Sequence, residues 1–165
     1  MADPDSLFDR IDAVEARLRL LAPTARGVTS ADPKTGDQWE AGQVWGHMAE
    51  FVQFWQEQAG EVIEAYKGEP VPFGRLIDDP TRMAGVDQGL HTDIETLSQA
   101  VEAELTDLRR FLNAAPDGWA ESIGLHPTRG LVPAGRIMSD YVVKHLEEHA
   151  SQLENLTGAL ENFED

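Results

Sequence analysis

The sequence predicts an all-α protein, folded as one four-helix bundle over residues 1–165. Four long segments repeat apolar residues every three or four positions, which is the pattern of amphipathic helices. No segment shows a convincing alternation of apolar and polar residues, the signal of a half-buried strand. A chain of 165 residues also suits a single hydrophobic core. Four helices that each bury one face pack together as a bundle.

The first two helices are predicted over 5–22 and 38–67. Pro23 follows the end of the first helix, where a proline stops helical hydrogen bonding. Asp37 is placed to cap the second helix, and Glu40 lies three residues later, as in a capping box. The apolar stripes are Leu7, Ile11, Val14, Leu18 and Leu21 in the first helix, and Val44, Met48, Phe51, Trp55 and Val62 in the second.

The other two helices are predicted over 93–114 and from Pro133 or Ala134 to about Asn162. A proline suits the first turn of a helix because its missing N–H would be unpaired there in any case. The apolar stripes are Ile94, Leu97, Val101, Leu105, Leu108 and Leu112 in the third helix, and Met138, Val142, Leu153, Leu156 and Leu160 in the fourth.

A long connection, 68–91, joins the second and third helices. It contains glycines and prolines without a sustained period, so we expect a loop that can include a short helical turn. Extended, it would reach ~80 Å, whereas the second helix is only ~40 Å long. The connection can therefore cross the bundle, which would make helices two and three parallel in an up-down-down-up order. Its length permits this order without requiring it.

The composition excludes several classes of function. The formal net charge is −17, and the only lysines are Lys34, Lys67 and Lys144, so nucleic-acid phosphates would be repelled. The absence of cysteine excludes disulfides, thiolate metal sites and a cysteine nucleophile. No apolar run approaches the ~20 residues of a membrane-spanning helix, and the acidic N-terminus is unlike a secretory signal. We therefore expect a cytoplasmic protein that does not bind nucleic acid or membranes.

Three histidines are the main candidates for chemistry. His145 and His149 are four residues apart, so they share one face of the last helix, and that face is predicted to point inward. His47 occupies a similar inward position on the second helix. Three imidazole nitrogens from two helices would bind a divalent metal and leave a coordination position open. Hydrogen-bonded core histidines are the alternative, and the spacing does not decide between them.

The same pattern of residues indicates which metals could bind and which neighbouring side chains could take part in chemistry. With no cysteine, imidazole is the ligand available, which suits zinc or nickel and also admits iron, manganese or copper. Glu148 lies near His145 around its helix, and Glu50 lies near His47, so each is a candidate proton acceptor or a residue that orients a ligand. Tyr141, one turn before His145, is a candidate hydroxyl donor to a bound ligand. A solvated glutamate or an ordinary core tyrosine is the alternative in each case.

The segment HLEEH also matches H-x-x-E-H, a zinc peptidase motif. Only sixteen residues follow His149, which is too few for the downstream acidic ligand and larger fold of those peptidases. His91 precedes a helix, and His126 lies in a predicted loop. We expect both of these histidines to be solvated.

Three segments resemble the DinB-like (YfiT-like) family of metal-binding four-helix bundles. They are DQWEAGQVWGHMAEF, in which a tryptophan precedes a histidine by eight residues, HLEEHASQLENL on the last helix, and LHPTRG before it. The resemblance implies an up-down-down-up bundle, frequent dimerisation, and a nickel or zinc ion held by His47, His145 and His149.

The resemblance also bears on activity. Some members of the family are transferases or isomerases that use bacillithiol, mycothiol or glutathione, and others are described as metal-dependent hydrolases. In the mycothiol-dependent isomerase branch the position of His145 looks like glutamate, which speaks against that particular reaction here. Three hypotheses follow: a metal-dependent thiol S-transferase, a hydrolase with metal-activated water, and a metal- or ligand-binding module without catalysis.

Overall fold

The computed structural model describes residues 4–157, and these residues are mostly helical. The elements in chain order are α1 (Pro4–Leu21), α2 (Ala41–Ala65), β1 (Val71–Pro72), α3 (Pro80–Gln88), α4 (Ile94–Ala114), a 3-10 turn (Trp119–Glu121), β2 (Ile123–His126), β3 (Gly130–Pro133), α5 (Ala134–Arg136), a π-helical segment (Ile137–Lys144) and α6 (His145–Glu154). The predicted helical character is confirmed, but the expectation of a chain without strands is wrong.

The second helix begins later than predicted because its cap lies further along the chain. The capping residue is Glu40 and not Asp37. The backbone N–H of Glu40 donates a hydrogen bond to Oε1 of Gln43, three residues later, at 2.8 Å. The helix therefore starts at Ala41. The starts and ends of α1 and α4 lie within about one residue of the prediction.

The last helix, 134–154, is continuous through α5, the π-helical segment and α6. Its predicted end near Asn162 is wrong because α6 ends at Glu154. Asn155 leaves the helical conformation, and Thr157 pairs with Val28, exchanging two backbone hydrogen bonds of 2.9 Å. Backbone groups committed to that pairing cannot extend the helix. The predicted positions Leu160 and Asn162 lie outside the described residues.

Ion pairs between helices reveal the direction of α1 relative to its neighbours. Arg10 pairs with Glu147 at 2.6 Å and Arg17 pairs with Glu154, so residue numbers rise together and α1 is parallel to α6. Asp12 pairs with Arg109 at 2.6 Å, and Arg19 pairs with Glu102 at 2.6 Å. Residue numbers rise along α1 as they fall along α4, so these two helices are antiparallel.

The ring contacts between α2 and the last helix complete the set of directions. His47 lies near His149, and Trp55 lies near Tyr141, with ring centroids 4.9 Å apart in both pairs. These helices are therefore antiparallel, which makes α2 parallel to α4. The long helices run up, down, down and up.

A small three-stranded sheet is formed by one strand of the crossover and two strands that precede the last helix. β2 and β3 form an antiparallel hairpin, with Ile123 opposite Pro133 and His126 opposite Gly130. β1, from the crossover, adds to β2 in parallel, with Val71 opposite Gly124. The strands are too short for an alternating apolar pattern to be visible in the sequence.

The crossover packs on α2 through backbone contact. A Cβ atom added at Gly46 would lie 2.5 Å from the carbonyl oxygen of Gly85, and one at Gly89 would lie 2.1 Å from that of Gly42. Only glycine permits so close an approach. This backbone contact holds α3, which carries Arg82, beside the N-terminal half of α2.

The core is formed by the inward faces of the long helices. Along the last helix, Met138, Val142, Leu146, Ala150 and Leu153 are almost completely buried. His145 and His149 are only partly buried and lie beside this apolar seam, on the side that faces α2. Among residues 4–157, no helix has the length and apolarity needed to cross a membrane.

We predict that Gly46→Ala destabilises the protein by about 1–3 kcal/mol, because the added methyl group must displace the backbone of α3. Urea unfolding at neutral pH measures the effect. Gly60→Ala in the same helix is the matched control, since its Cβ would make an ordinary 3.5 Å contact with Phe111. We expect this control to be neutral or stabilising by up to about 1 kcal/mol. Equal stability of the two variants would contradict the prediction.

Candidate metal centre

The structure brings His47, His145 and His149 together. One nitrogen from each ring can be chosen so that all three lie within 4.8 Å of one another. The ring centroids are 5.2 Å apart for His47 and His145, 4.9 Å for His47 and His149, and 4.7 Å for His145 and His149. The sequence predicted this grouping, and the antiparallel packing of α2 and α6 produces it.

Two ring nitrogens of the cluster are buried without a hydrogen-bond partner in the described part of the chain: Nδ1 of His47 and Nε2 of His149. Leaving such a group unpaired costs about 1–3 kcal/mol. Two such groups beside each other, with a third imidazole close by, fit a site whose missing partner is a cation.

Acceptor groups lie beside both histidines of α6, and His149 forms a hydrogen bond with one of them. Nδ1 of His149 is 2.9 Å from Oε1 of Gln152, which can only accept, so the ring proton is on Nδ1 and Nε2 keeps its lone pair. The backbone carbonyl of Tyr141 lies close enough to the His145 ring to oppose the lowering of its pKa by burial. Partners of this kind fix the tautomer and direction of metal-binding histidines in proteins.

Aromatic side chains enclose the cluster. Phe51 stacks on His145 with ring centroids 4.1 Å apart. Trp39 packs edge-on against His47 at 5.3 Å and lies nearly parallel to His149 at 6.5 Å. The backbone N–H of Trp39 donates to Oγ1 of Thr29 at 2.9 Å, which anchors the segment before α2. The tryptophan eight residues before His47 in the sequence is therefore part of the wall of the site.

Burial lowers the pKa of all three histidines. It lowers the pKa of His145 to about 3, helped by the charge of His149, and the pKa of His149 to about 4, although the Gln152 hydrogen bond opposes the shift. For His47 the direction is the same, with burial as the main cause and the charges of His149 and His145 next. The rings are neutral at pH 7, which is the form that binds a metal.

A cavity of about 950 Å³ opens beside His47 and His145. Trp55 and Tyr141 form part of its wall, and the β2–β3 hairpin closes one side. Among the described residues, five basic side chains and three acidic ones line the cavity, although the whole chain has thirteen basic and thirty acidic residues. On a protein of net charge −17, this cavity is a local positive region. The basic residues are Arg75, Arg82, Arg129, Arg136 and Lys144, and the acidic ones are Asp78, Asp140 and Glu148.

Two of these arginines are neutralised by neighbouring acids. Arg75 makes two hydrogen bonds with the Glu50 carboxylate, one of them 2.8 Å long, and its guanidinium lies 3.8 Å above the Phe54 ring. Arg136 pairs with Asp140 at 3.2 Å. Glu50, predicted as a proton acceptor or a residue that orients a ligand, is thus engaged by Arg75.

Arg82 is different, because no carboxylate of the described residues lies within 4 Å of it. One Nη donates to the backbone carbonyl of Ile77 at 3.0 Å. Its positive charge lowers the pKa of His47, His145 and His149, after the larger effect of burial. The sequence contained no signal for this residue, which reaches the histidines only through the packing of α3 on α2.

The other histidines and candidate residues named from the sequence differ in where the structure places them. Glu148 is exposed and lines the cavity, and Tyr141 lines it with its ring against Trp55. His91 is exposed, as predicted. The expectation of a solvated His126 is wrong, because the ring is only 6% exposed and packs 5.4 Å from Phe73. The unexpected hairpin buries it at the cavity wall.

Comparison with known proteins identifies the fold. No family model matches the chain, and no curated protein matches it. Two solved structures do: the mycothiol-dependent maleylpyruvate isomerase and a histidine-to-alanine mutant of it, with TM-scores of 0.70 and 0.69. Each is 12% identical over 98% of this chain. The chain spans only 64% of the length of those enzymes, so the likeness concerns the fold.

We predict that the metal-free protein loses stability as the pH falls from about 6.5 to 4. In this window the unfolded chain binds more protons than the folded one, because burial holds the folded pKa of His149 near 4, so the free energy of unfolding falls. His149→Gln should remove up to about 3 kcal/mol of this dependence. Urea unfolding at a series of pH values measures it, and His91→Gln should keep the wild-type slope. A slope unchanged in His149→Gln would contradict the prediction.

Proposed function

We propose that this protein is a divalent-metal-dependent enzyme that transfers a small-molecule thiol to an electrophile, with His47, His145 and His149 as the metal ligands. One observation carries the proposal: a cluster of three neutral imidazoles, two with unpaired buried nitrogens, lies beside a large positive cavity. Three protein ligands leave a coordination position for an exchangeable molecule, as catalytic sites do and closed structural sites do not.

The donor set decides which metals suit the site. All three candidate ligands are imidazoles, and the chain has no cysteine. Imidazole suits zinc and nickel, with iron, manganese and copper as alternatives. Bound there, a divalent cation would lower the pKa of a thiol or water so that the nucleophilic anion exists near neutral pH.

The residues around the cluster favour an anionic nucleophile. Arg82 brings a positive charge to all three histidines, and no carboxylate in the described part of the chain neutralises it within 4 Å. A thiolate held beside that charge is stabilised relative to the neutral thiol. The missing cysteine is consistent with a thiol supplied by bacillithiol, mycothiol or glutathione.

We assign three further roles. Glu148, on the cavity wall, accepts the thiol proton. Burial raises the pKa of the Tyr141 phenol, so its hydroxyl stays protonated and donates a hydrogen bond to the bound molecule. Glu50 has a positioning role, because its carboxylate holds Arg75 in place against Phe54.

The two similar structures support the thiol chemistry at the level of fold. They are described as mycothiol-dependent enzymes, and the present chain shares their architecture at a TM-score of about 0.70. We propose an S-transferase and not an isomerase, because His145 stands where that branch looks to have glutamate. On the family resemblance we further propose a homodimer, which sedimentation of the full chain tests.

A hydrolase is the second candidate, because Glu148 lines the cavity and would serve equally as a base for water. The two reactions differ in their requirement for a thiol. A protein that binds metal but turns over neither class of substrate would be the binding module of the third hypothesis.

We predict that untagged protein binds one zinc or nickel ion per chain. His145→Ala and His149→Ala should each weaken binding by ~100-fold or more, since each removes one nitrogen ligand. Calorimetric titration with elemental analysis measures this. His91→Ala is the matched control, because His91 is exposed, and it should bind as the wild type does. If the wild type takes up no transition metal in excess, the proposal fails.

We predict thiol-dependent turnover by the metal-loaded protein. A chlorinated or epoxide electrophile should be consumed only when bacillithiol, mycothiol or glutathione is added, with one carbon–sulfur bond formed for each chloride released or for each epoxide C–O bond opened and its oxygen protonated. Arg82→Gln should lower the rate by about 10-fold or more at neutral pH, because the thiolate loses a neighbouring charge. Product analysis by mass spectrometry measures both. Turnover of esters without thiol would instead establish the hydrolase.

A further inference from the structure

His126 is held in one defined protonation state by its own turn. It ends β2, and its Nδ1 accepts hydrogen bonds from the backbone N–H groups of Thr128 at 3.2 Å and Arg129 at 3.3 Å. A nitrogen that accepts two N–H groups cannot itself carry a proton. The neutral ring therefore carries its proton on Nε2, so His126 is a hydrogen-bond donor at that atom.

His126 lies on the wall of the cavity. The ring is enclosed by Trp55, Phe73 and Tyr141, with centroids 5.4 to 6.2 Å away. Gly74 passes against its edge, where an added Cβ would lie 2.4 Å from Cδ2. The residue is only 6% exposed and lines the cavity, and Nε2 remains accessible to solvent with no hydrogen-bond partner within 4–157. A donor that is fixed in direction and open to solvent is available to an acceptor atom of a bound ligand.

Arg129, from the same turn, supplies a positive charge beside this donor. Its guanidinium lies 5.3 Å from the centroid of the Tyr141 ring, and no carboxylate of the described residues is within 4 Å. Its charge contributes to the lowered pKa of both His126 and His145, so it acts on the cavity between them. By contrast, Arg75 and Arg136, which line the same cavity, are already paired with acids.

We propose that Nε2–H of His126 and the guanidinium of Arg129 form a subsite for a carboxylate of the substrate. One positive charge and one neutral donor match a singly charged planar group, and a guanidinium pairs well with a carboxylate. A doubly charged phosphate fits less well, because one guanidinium balances only one of its two charges. The subsite rests on the proposed function only in taking this cavity as the place where the electrophile binds.

The electrophile is thereby assigned to a chemical class. A carboxylate held at the hairpin, in the same cavity as His47 and His145, orients the rest of the molecule towards the nucleophile. Because the donor at His126 is neutral, binding does not require a proton to be taken up at this residue. Burial, followed by the charge of Arg129, lowers the pKa of His126 and keeps the ring neutral at pH 7.

The first test is the protonation state itself. In protein labelled with nitrogen-15 at histidine, NMR at pH 7 should show Nε2 protonated and Nδ1 unprotonated for His126, whose signals are identified by their loss in His126→Gln. A cationic ring, or a proton on Nδ1, would overturn the proposal. This measurement needs neither metal nor thiol, and it does not depend on any variant retaining activity.

The second test is binding of succinate to the full-length protein, both as purified and after removal of metal with a chelator. Arg129→Gln and His126→Phe should each weaken binding roughly 10- to 100-fold, the effect of losing a hydrogen bond to a charged group. His126→Gln places an amide N–H near the position of Nε2 and should retain more affinity than His126→Phe. Arg136→Gln and the distant Arg110→Gln remove the same charge and should stay within roughly fivefold of wild type.

Several results would overturn the subsite: no binding of succinate by the wild type, equal affinity in Arg129→Gln, or an equal loss in Arg136→Gln. Binding of the neutral diamide as tight as that of succinate would do the same, and so would tighter binding of inorganic phosphate. Failure of metal uptake with succinate binding intact would remove the proposed enzyme and leave the subsite standing. Metal uptake without binding of succinate would overturn the subsite and leave the proposed enzyme standing.

Discussion

The antiparallel packing of α2 against α6 is the contact on which the site depends. It places the His47 ring from one helix against His145 and His149 from the other, at centroid distances of about 5 Å. Two of the buried nitrogens have no hydrogen-bond partner in the described chain, so the packing leaves two polar atoms unpaired in an otherwise apolar interface. A divalent cation would bind these nitrogens and would join the two helices across the bundle.

The other elements prepare the surroundings of that contact. Close approach at Gly42, Gly46, Gly85 and Gly89 sets α3 against α2 and brings Arg82 to the histidines. The crossover strand and the hairpin form a three-stranded sheet on the other side of the cavity. The bundle thus supplies the candidate ligands, while the connecting segments supply the charges and hydrogen-bond donors that face them.

The distribution of charge separates the surface from the cavity. The net charge of −17 disfavours polyanions such as nucleic acids, whereas the basic residues of the cavity that lack an acidic partner favour a small anion there. Arg75 and Arg136 are compensated by Glu50 and Asp140. Arg82 and Arg129 have no such partner within 4 Å among the described residues, and they belong to different segments, α3 and the β2–β3 hairpin. We propose that Arg82 favours the nucleophilic anion and that Arg129 favours a carboxylate of the substrate.

Local pattern determined the long helices and their inward faces, because helical periodicity is a property of neighbouring residues. It therefore also indicated the grouping of His47, His145 and His149. Tertiary structure alone decided what depends on distant partners: the short strands, the end of the last helix at Glu154, and the burial of His126. Contacts between segments far apart in the sequence leave no periodic signal, and the cavity and its charges arise from such contacts.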